Sequence, residues 1–273
     1  MKKEKRIIDS TSLKLRIATV MLVIVLIINL ILFTTLPLGE NFYLISDWTL
    51  VLYSLLAVIA GYYAYKYHGM KHPFGKALFF LTAGVFSWLI AEFLWAYLEV
   101  FLGIIAPFPS IADLFWYIGY VPYGIGLYYL WKSTKTPLSM SRMCIAVLFI
   151  LVALVLGGFY GIYPGLIDEG LTTFGKSIAV GYVVLDLALV IGHIIILSSF
   201  FGTDLIKPWA ILLIAGLFTT LADILYAQIA SLYEATSFFG ILWDLQYILL
   251  AYGFFYYRQT AGIFKKHPLL KRG

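Results

Sequence analysis

Apolar residues dominate the chain in runs of about 20, and short segments rich in Gly, Pro and charge separate them. Eight such runs stand out, at 17–36, 48–65, 77–101, 114–131, 143–163, 177–200, 209–233 and 241–257. A run of that length crosses the hydrocarbon of a bilayer as a helix. Alternation with period two is weak, so the pattern predicts membrane-spanning helices and not a barrel. Tyr and polar residues interrupt the second run and the last two.

The polar segments supply an independent test of the count. The connections "KYHGMKHPFGK", "KSTKTPLSMSR" and "FGTDLIKP" carry Lys or Arg, as do both termini. The alternate connections "PLGENFYLISD", "GIIAPFPSIAD" and "EATSFFG" carry none, and "PGLIDEGLTTFGK" has one Lys beside two acids. Positive charge stays on the cytoplasmic side of membrane proteins, so the alternation places both termini in the cytoplasm of a multi-pass cell-membrane protein. The basic start "MKKEKRIIDSTSLKLR" resembles the n-region of a signal peptide. The apolar run behind it is too long for an h-region and lacks a small-residue cleavage site, so it reads as a retained first span.

Composition agrees with lipid as the solvent. Apolar residues make up 62% of the chain and charged ones 12%, against about 25% charged in soluble domains. The net charge of +5 follows from the loop and terminal basic residues and does not point to nucleic acid. A single cysteine, Cys144, excludes an internal disulfide and a cysteine-built metal site. No HExxH, GxSxG, CxxC, Walker loop, GxGxxG in a strand–helix setting or GxGD is present, which leaves no motif for an enzyme. No residue pattern names a cofactor, and the last span has no Lys to carry a retinal.

Sliding the chain by 131 residues lays the first four spans on the last four without a gap. Glu92 then meets Asp223 and Asp113 meets Asp244; Lys76 meets Lys207 and Gly61 meets Gly192. The rare residues carry this register, not overall identity. It predicts an all-α protein of eight transmembrane helices built as two four-helix repeats, 1–131 and 132–257, followed by a basic tail, 258–273. An even number of crossings per unit makes the repeats parallel, related by a twofold along the membrane normal.

The acids are the candidate chemistry. A carboxylate inside the bilayer costs at least a few kcal/mol, so it faces protein or water. Glu92–Trp95, Asp113–Trp116, Asp223–Tyr226 and Asp244–Tyr247 share one spacing, i to i+3, which puts a ring on the same helix face as each acid. Trp N–H and Tyr O–H donate to carboxylates, and rings present a π face to a cation. All four acids belong to the outer half of the predicted spans, Glu92 roughly 22 Å along its helix from the cytoplasmic end. Glu99 lies two turns beyond Glu92, and Asp186 shares a face with His193 near mid-membrane. No Lys or Arg falls at this depth, and crowded carboxylates without one hold protons or gain a cation. Bland roles stay open beside these: "SIAD" matches a capping box that closes a helix at Asp113, and the buried acids could only join helices.

"PSIADLFWYIGYVPYGIGLYYL" and "LADILYAQ…LWDLQYILLAYG" resemble the membrane-embedded sensory input regions found ahead of diguanylate cyclase and phosphodiesterase (GGDEF and EAL) domains. Pro109, Ser110, Ala112 and Asp113 match a Pro-Ser-x-Ala-Asp helix start. Ala222, Asp223 and Tyr226 match Ala-Asp-x-x-Tyr, and Asp244 with Tyr247 matches loosely the Asp-x-x-Trp-like entry that follows it, with Tyr in place of Trp. The resemblance covers about 77–257 and implies a sensory module. Only a basic tail follows Tyr257, so a cytoplasmic signalling protein is the expected partner. The residues and the resemblance together lead to reception of a small ligand or cation in an outward-facing acidic, aromatic cavity. The alternative is a secondary transporter that uses the carboxylates as proton or cation sites.

Overall fold

The structure, a computed structural model, describes residues 2–35, 40–105, 107–134, 139–203, 205–229 and 240–266. Among these residues every regular element is helical. In chain order they are α1 (Lys2–Thr35), α2 (Glu40–His68), α3 (Pro73–Ala96) with a π-turn at Tyr97–Phe101, and α4 (Ile111–Ser133). Next come α5 (Met140–Gly157), a second π-turn at Gly158–Ile162 and the short α6 (Tyr163–Ile167) that continues the same rod. The chain then forms α7 (Thr173–Ser199), α8 (Ile206–Ile229) and α9 (Gly240–Lys266). The described rods fall on the eight apolar runs.

Six rods are long and apolar enough to cross a membrane: α1, α2, α3 with its π-turn, α5 to α6, α7 and α8. α4 and α9 are as long but carry many Tyr, Trp and Gly, which lower their hydropathy. α4 nevertheless exposes a pure apolar stripe, Ile111, Leu114, Ile118, Val121 and Ile125, and buries Asp113, Tyr120 and Tyr123 on the other face. A helix of a water-soluble protein shows the reverse arrangement.

Local signals explain where the helices stop and start. Gly69, at φ +69°, makes the left-handed turn after α2, and His72 accepts from the Phe74 N–H with Pro73 opening α3. Ser110 and Asp113 form the expected capping box at α4, and the Thr172 hydroxyl caps α7 by accepting from Gly175 N–H at 3.1 Å. α2 begins earlier than its apolar run predicts, which takes Asp47 out of the expected loop and into the bundle. α9 runs on past Tyr257 to Lys266, so the expected start of the tail lies inside a helix.

Six helices close into a ring in the order α2, α3, α4, α7, α8, α9 and back to α2. α3 and α4 make the tightest pair: a Cβ at Gly84 would stand 2.8 Å from the Gly119 carbonyl oxygen. The ring has two seams where the first four rods meet the last four, α4 on α7 and α9 on α2. The rods α1 and α5 to α6 lie outside the ring and expose most of their apolar side chains. The 131-residue shift equates α1 with α5, which packs on α7, so α1 is expected on α2. It rests mainly on α9 instead, with Thr19 and Tyr252 hydroxyls 2.7 Å apart, and touches α2 through Phe33 on Phe42. α1 runs antiparallel to α9, with Thr19 beside Tyr252 and Phe33 beside Gly240, so the start of α1 and the end of α9 lie at one end of the bundle. At that end a plug of rings fills the ring's interior: His68 stacks on His72, Tyr257 bonds His68, and Trp209 packs on Tyr257. Leu81, Val85, Leu212, Leu250 and Phe254 fill the middle, each at most 2% exposed.

Candidate functional site

Above this packed middle, at the end away from the start of α1 and the end of α9, the ring opens into a cavity of about 150 Å³. A cavity of that size holds one benzene-sized molecule. Glu92 and Trp95 of α3, Asp113 and Trp116 of α4, Asp223 and Tyr226 of α8 and Tyr247 of α9 all line it. Asp244 does not. It is fully buried behind the wall, where Thr49 of α2 donates at 3.4 Å and Asn29 of α1 lies within reach.

The acids do meet aromatic donors, but not the ones their spacing predicts. Glu92 accepts from Trp116 Nε1–H at 2.9 Å and from Tyr247 O–H at 2.6 Å, both through Oε1. Trp95, three residues from Glu92, donates to Glu99 instead, at 3.0 Å. Asp223 accepts from Trp243 Nε1–H at 2.9 Å, while the Tyr226 ring packs edge-on against Trp243 and Phe108. The i+3 rule fails because a carboxylate in a bundle points across to neighbouring helices and finds its donor there. Trp116 and Tyr247 are equivalent under the 131-residue shift, one from each half, and both serve Glu92.

Asp113 does two things at once. Its Oδ2 accepts from the Ser110 N–H at 2.5 Å and so caps α4. Its Oδ1 accepts from Tyr182 of α7 at 2.7 Å and so ties the α4–α7 seam. Lower on that seam Tyr120 donates to Asp186 at 2.6 Å, and the Tyr123 hydroxyl lies 3.2 Å from His193 Nε2. His193 Nδ1 is 2.9 Å from its own helix's Leu189 carbonyl, which places the proton on Nδ1 and makes Tyr123 the donor to neutral Nε2. Asp186 and His193 are 3% and 2% exposed, so these polar contacts sit in the dry interior.

Two carboxyl–carboxyl contacts complete the site. Asp186 lies within hydrogen-bond reach of Asp223 beneath the cavity, and Asp47 within reach of Glu99 at its side. The π-turn at Tyr97–Phe101 holds Glu99 in the bundle at 4% exposed. Asp47 lines the cavity and is 5% exposed. The run of polar residues before it in "GENFYLISD" hid the first turns of α2 from a reading by hydropathy. Tyr182 and Trp243 were equally hidden, although Trp243 stands next to Asp244 in the sequence.

Trp88, Trp95, Trp116 and Trp243 supply much of the remaining wall, and among the described residues that line it none is Lys, Arg or His. Among the described residues no three His, Cys, Asp or Glu side chains converge as a metal site. The described lining therefore offers carboxyl groups, N–H and O–H donors and ring faces, and no Lys, Arg or His. No protein-family model matches the chain, and no similar protein was found among curated proteins or solved structures.

Proposed function

We propose that this is an integral membrane receptor that binds a small ligand or cation in the cavity and signals to a cytoplasmic partner. The observation that carries the reading is the convergence of Glu92, Asp113 and Asp223 with four tryptophans on one cavity. The proposal takes all eight rods as spans, α4 and α9 included. Each has more than 20 residues, and α4 turns an apolar stripe outward. It also takes the two halves as parallel repeats. Support comes from the ring: α2–α3 matches α7–α8, α3–α4 matches α8–α9, and the two seams match each other. Sites at the interface of such repeats are common in membrane proteins. With basic connections inside, the cavity opens outward and the packed middle separates it from the cytoplasm, as reception requires.

Secondary transport is the second reading, and the polar stripe of Asp186, Tyr120, His193 and Tyr123 below the cavity favours it. Carboxylates and His buried in spans are the usual parts of proton relays. The test is a thermal-shift screen of the purified chain against inorganic cations and small organic molecules, followed by flux of any labelled hit into liposomes. A receptor gives stabilisation without flux, and a transporter gives both. The double substitution Glu92→Gln with Asp223→Asn should abolish the stabilisation while the chain still folds and inserts. Undiminished stabilisation in that double variant would reduce the acids to contacts between helices.

A further inference from the structure

We propose that Gln246 orients the ligand in this cavity and that, together with Glu92 and Asp223, it selects a small organic cation that donates N–H groups. This rests on the receptor reading and specifies its ligand class.

α9 turns Trp243, Gln246 and Tyr247 into the cavity, as their spacing of three and four residues from Trp243 allows. Trp243 holds Asp223 through Oδ1, and Tyr247 holds Glu92 through Oε1. Gln246 stands with these two side chains and is 4% exposed, yet none of the described groups bonds either end of its amide. A buried amide left without a donor for its oxygen and an acceptor for its N–H is costly, and a ligand that supplies them removes the cost. The acids have a free side as well. No backbone, indole, amide or hydroxyl donor bonds Glu92 Oε2 or Asp223 Oδ2. The donor-free oxygens of Asp47, Asp186 and Asp244 are sealed inside the protein, whereas Glu92 Oε2, Asp223 Oδ2 and the Gln246 amide keep open surface on residues that line the cavity.

The wall has few donors left to give. The indole N–H groups of Trp88, Trp95, Trp116 and Trp243 all bond protein oxygens, and so do the hydroxyls of Tyr182 and Tyr247. The other described hydroxyls of the lining have partners too. Such a lining asks for a ligand that donates more than it accepts. N–H groups on a cation bond a carboxylate more strongly than neutral donors do, and no Lys, Arg or His of the described lining competes for the acids. A pure acceptor or an anion would find only the Gln246 N–H free among the described lining. The volume of about 150 Å³ limits the ligand to about the size of benzene, and the tryptophan faces suit its apolar body.

The test uses the full chain in nanodiscs of neutral phospholipid, with tryptophan emission and unfolding temperature as readouts. Five probes of small size are compared: cyclopentylamine, tetramethylammonium, cyclopentanol, cyclopentanone and sodium chloride. Cyclopentylamine should act at a concentration about ten-fold lower than any other, the factor that one hydrogen bond to a charged group supplies. Gln246→Leu should cut that preference several-fold. In Glu92→Gln the amide oxygen can keep both donors of Oε1 while its N–H₂ group turns to the cavity, so the preference should pass from the amine toward cyclopentanone. The order among probes in the parent chain needs no variant, so the idea stays testable if a substitution harms folding. Tetramethylammonium acting as well as the amine means that charge and rings suffice, which refutes selection by N–H donors. Cyclopentanone acting best means that the wall donates to its ligand, which refutes it too. A response to sodium with no added effect of the amine makes this an inorganic cation site and overturns the ligand class. Amine binding that survives both Gln246→Leu and Glu92→Gln but is lost in Asp47→Asn refutes the assignment of residues. No response to any probe refutes the proposal as well, and only if the wider thermal-shift screen is also blank does the receptor reading fall with it.

Discussion

Glu92 is where both halves of the chain meet on one side chain, since Trp116 and Tyr247 donate to the same oxygen. Tyr247→Phe should lower unfolding free energy by about 1 kcal/mol, and so should Trp116→Phe, because one donor remains in each case. The double variant leaves that oxygen with neither donor and should lose more than the sum, as thermal or detergent unfolding of the purified variants would reveal. Strict additivity would mean that the two donors act independently of Glu92. At this scale the acids themselves were legible, because an intramembrane charge is rare enough to stand out. Their partners were not. Spacing along one helix reports only neighbours on that helix, and Tyr182, Trp243 and Tyr247 reach their acids from other helices. Asp47 was invisible for a different reason: a polar first turn in α2 looks like a loop to any measure of hydropathy.

Helices were read well where lipid surrounds them and less well where protein does. α1 and α5 are the most apolar and the least buried, so their runs are long and unbroken. α4 and α9 have Tyr and Gly where they face the ring's interior, and those residues blur the run without shortening the helix. Glycine at these contacts sets how close two helices come. Gly84→Ala would push a methyl into the Gly119 carbonyl and the Tyr123 backbone, so it should cost about 1–3 kcal/mol. Gly124→Ala is the control, since nothing lies within 4 Å of a Cβ there, and its unfolding temperature should match the parent's. Equal effects of the two substitutions would show that helix propensity, not contact, decides.

For the whole molecule, loop charge and the 131-residue register carried most of what could be read in advance: eight rods in an order compatible with two like halves. The position of α1 was beyond them, because its outward face is uniformly apolar and marks no side for docking. The inner face holds only sparse cues such as Thr19, Asn29 and Phe33. Orientation is open to a direct measurement. In a Cys144→Ser background, Asp168→Cys should react with an impermeant maleimide on intact cells, and Lys71→Cys only after lysis. The reverse labelling would invert the bundle and turn the cavity toward the cytoplasm.

The closed ring bears on how this chain could be assembled. Its two halves are joined covalently by one connection, between Thr134 and Ser139, yet they touch along both seams. α1 of the first half also straps α9 of the second. Helices in lipid can insert first and associate afterwards, so the seams hold the instructions for docking and the connection adds mainly proximity. Two separately encoded pieces, cut within that connection and expressed together, should find one another in the membrane and co-purify. Tyr120→Phe with Tyr123→Phe on one piece should weaken that recovery several-fold, because these hydroxyls link the pieces to Asp186 and His193 across the α4–α7 seam. A gene of this architecture could then be split in two and still yield one assembled membrane protein.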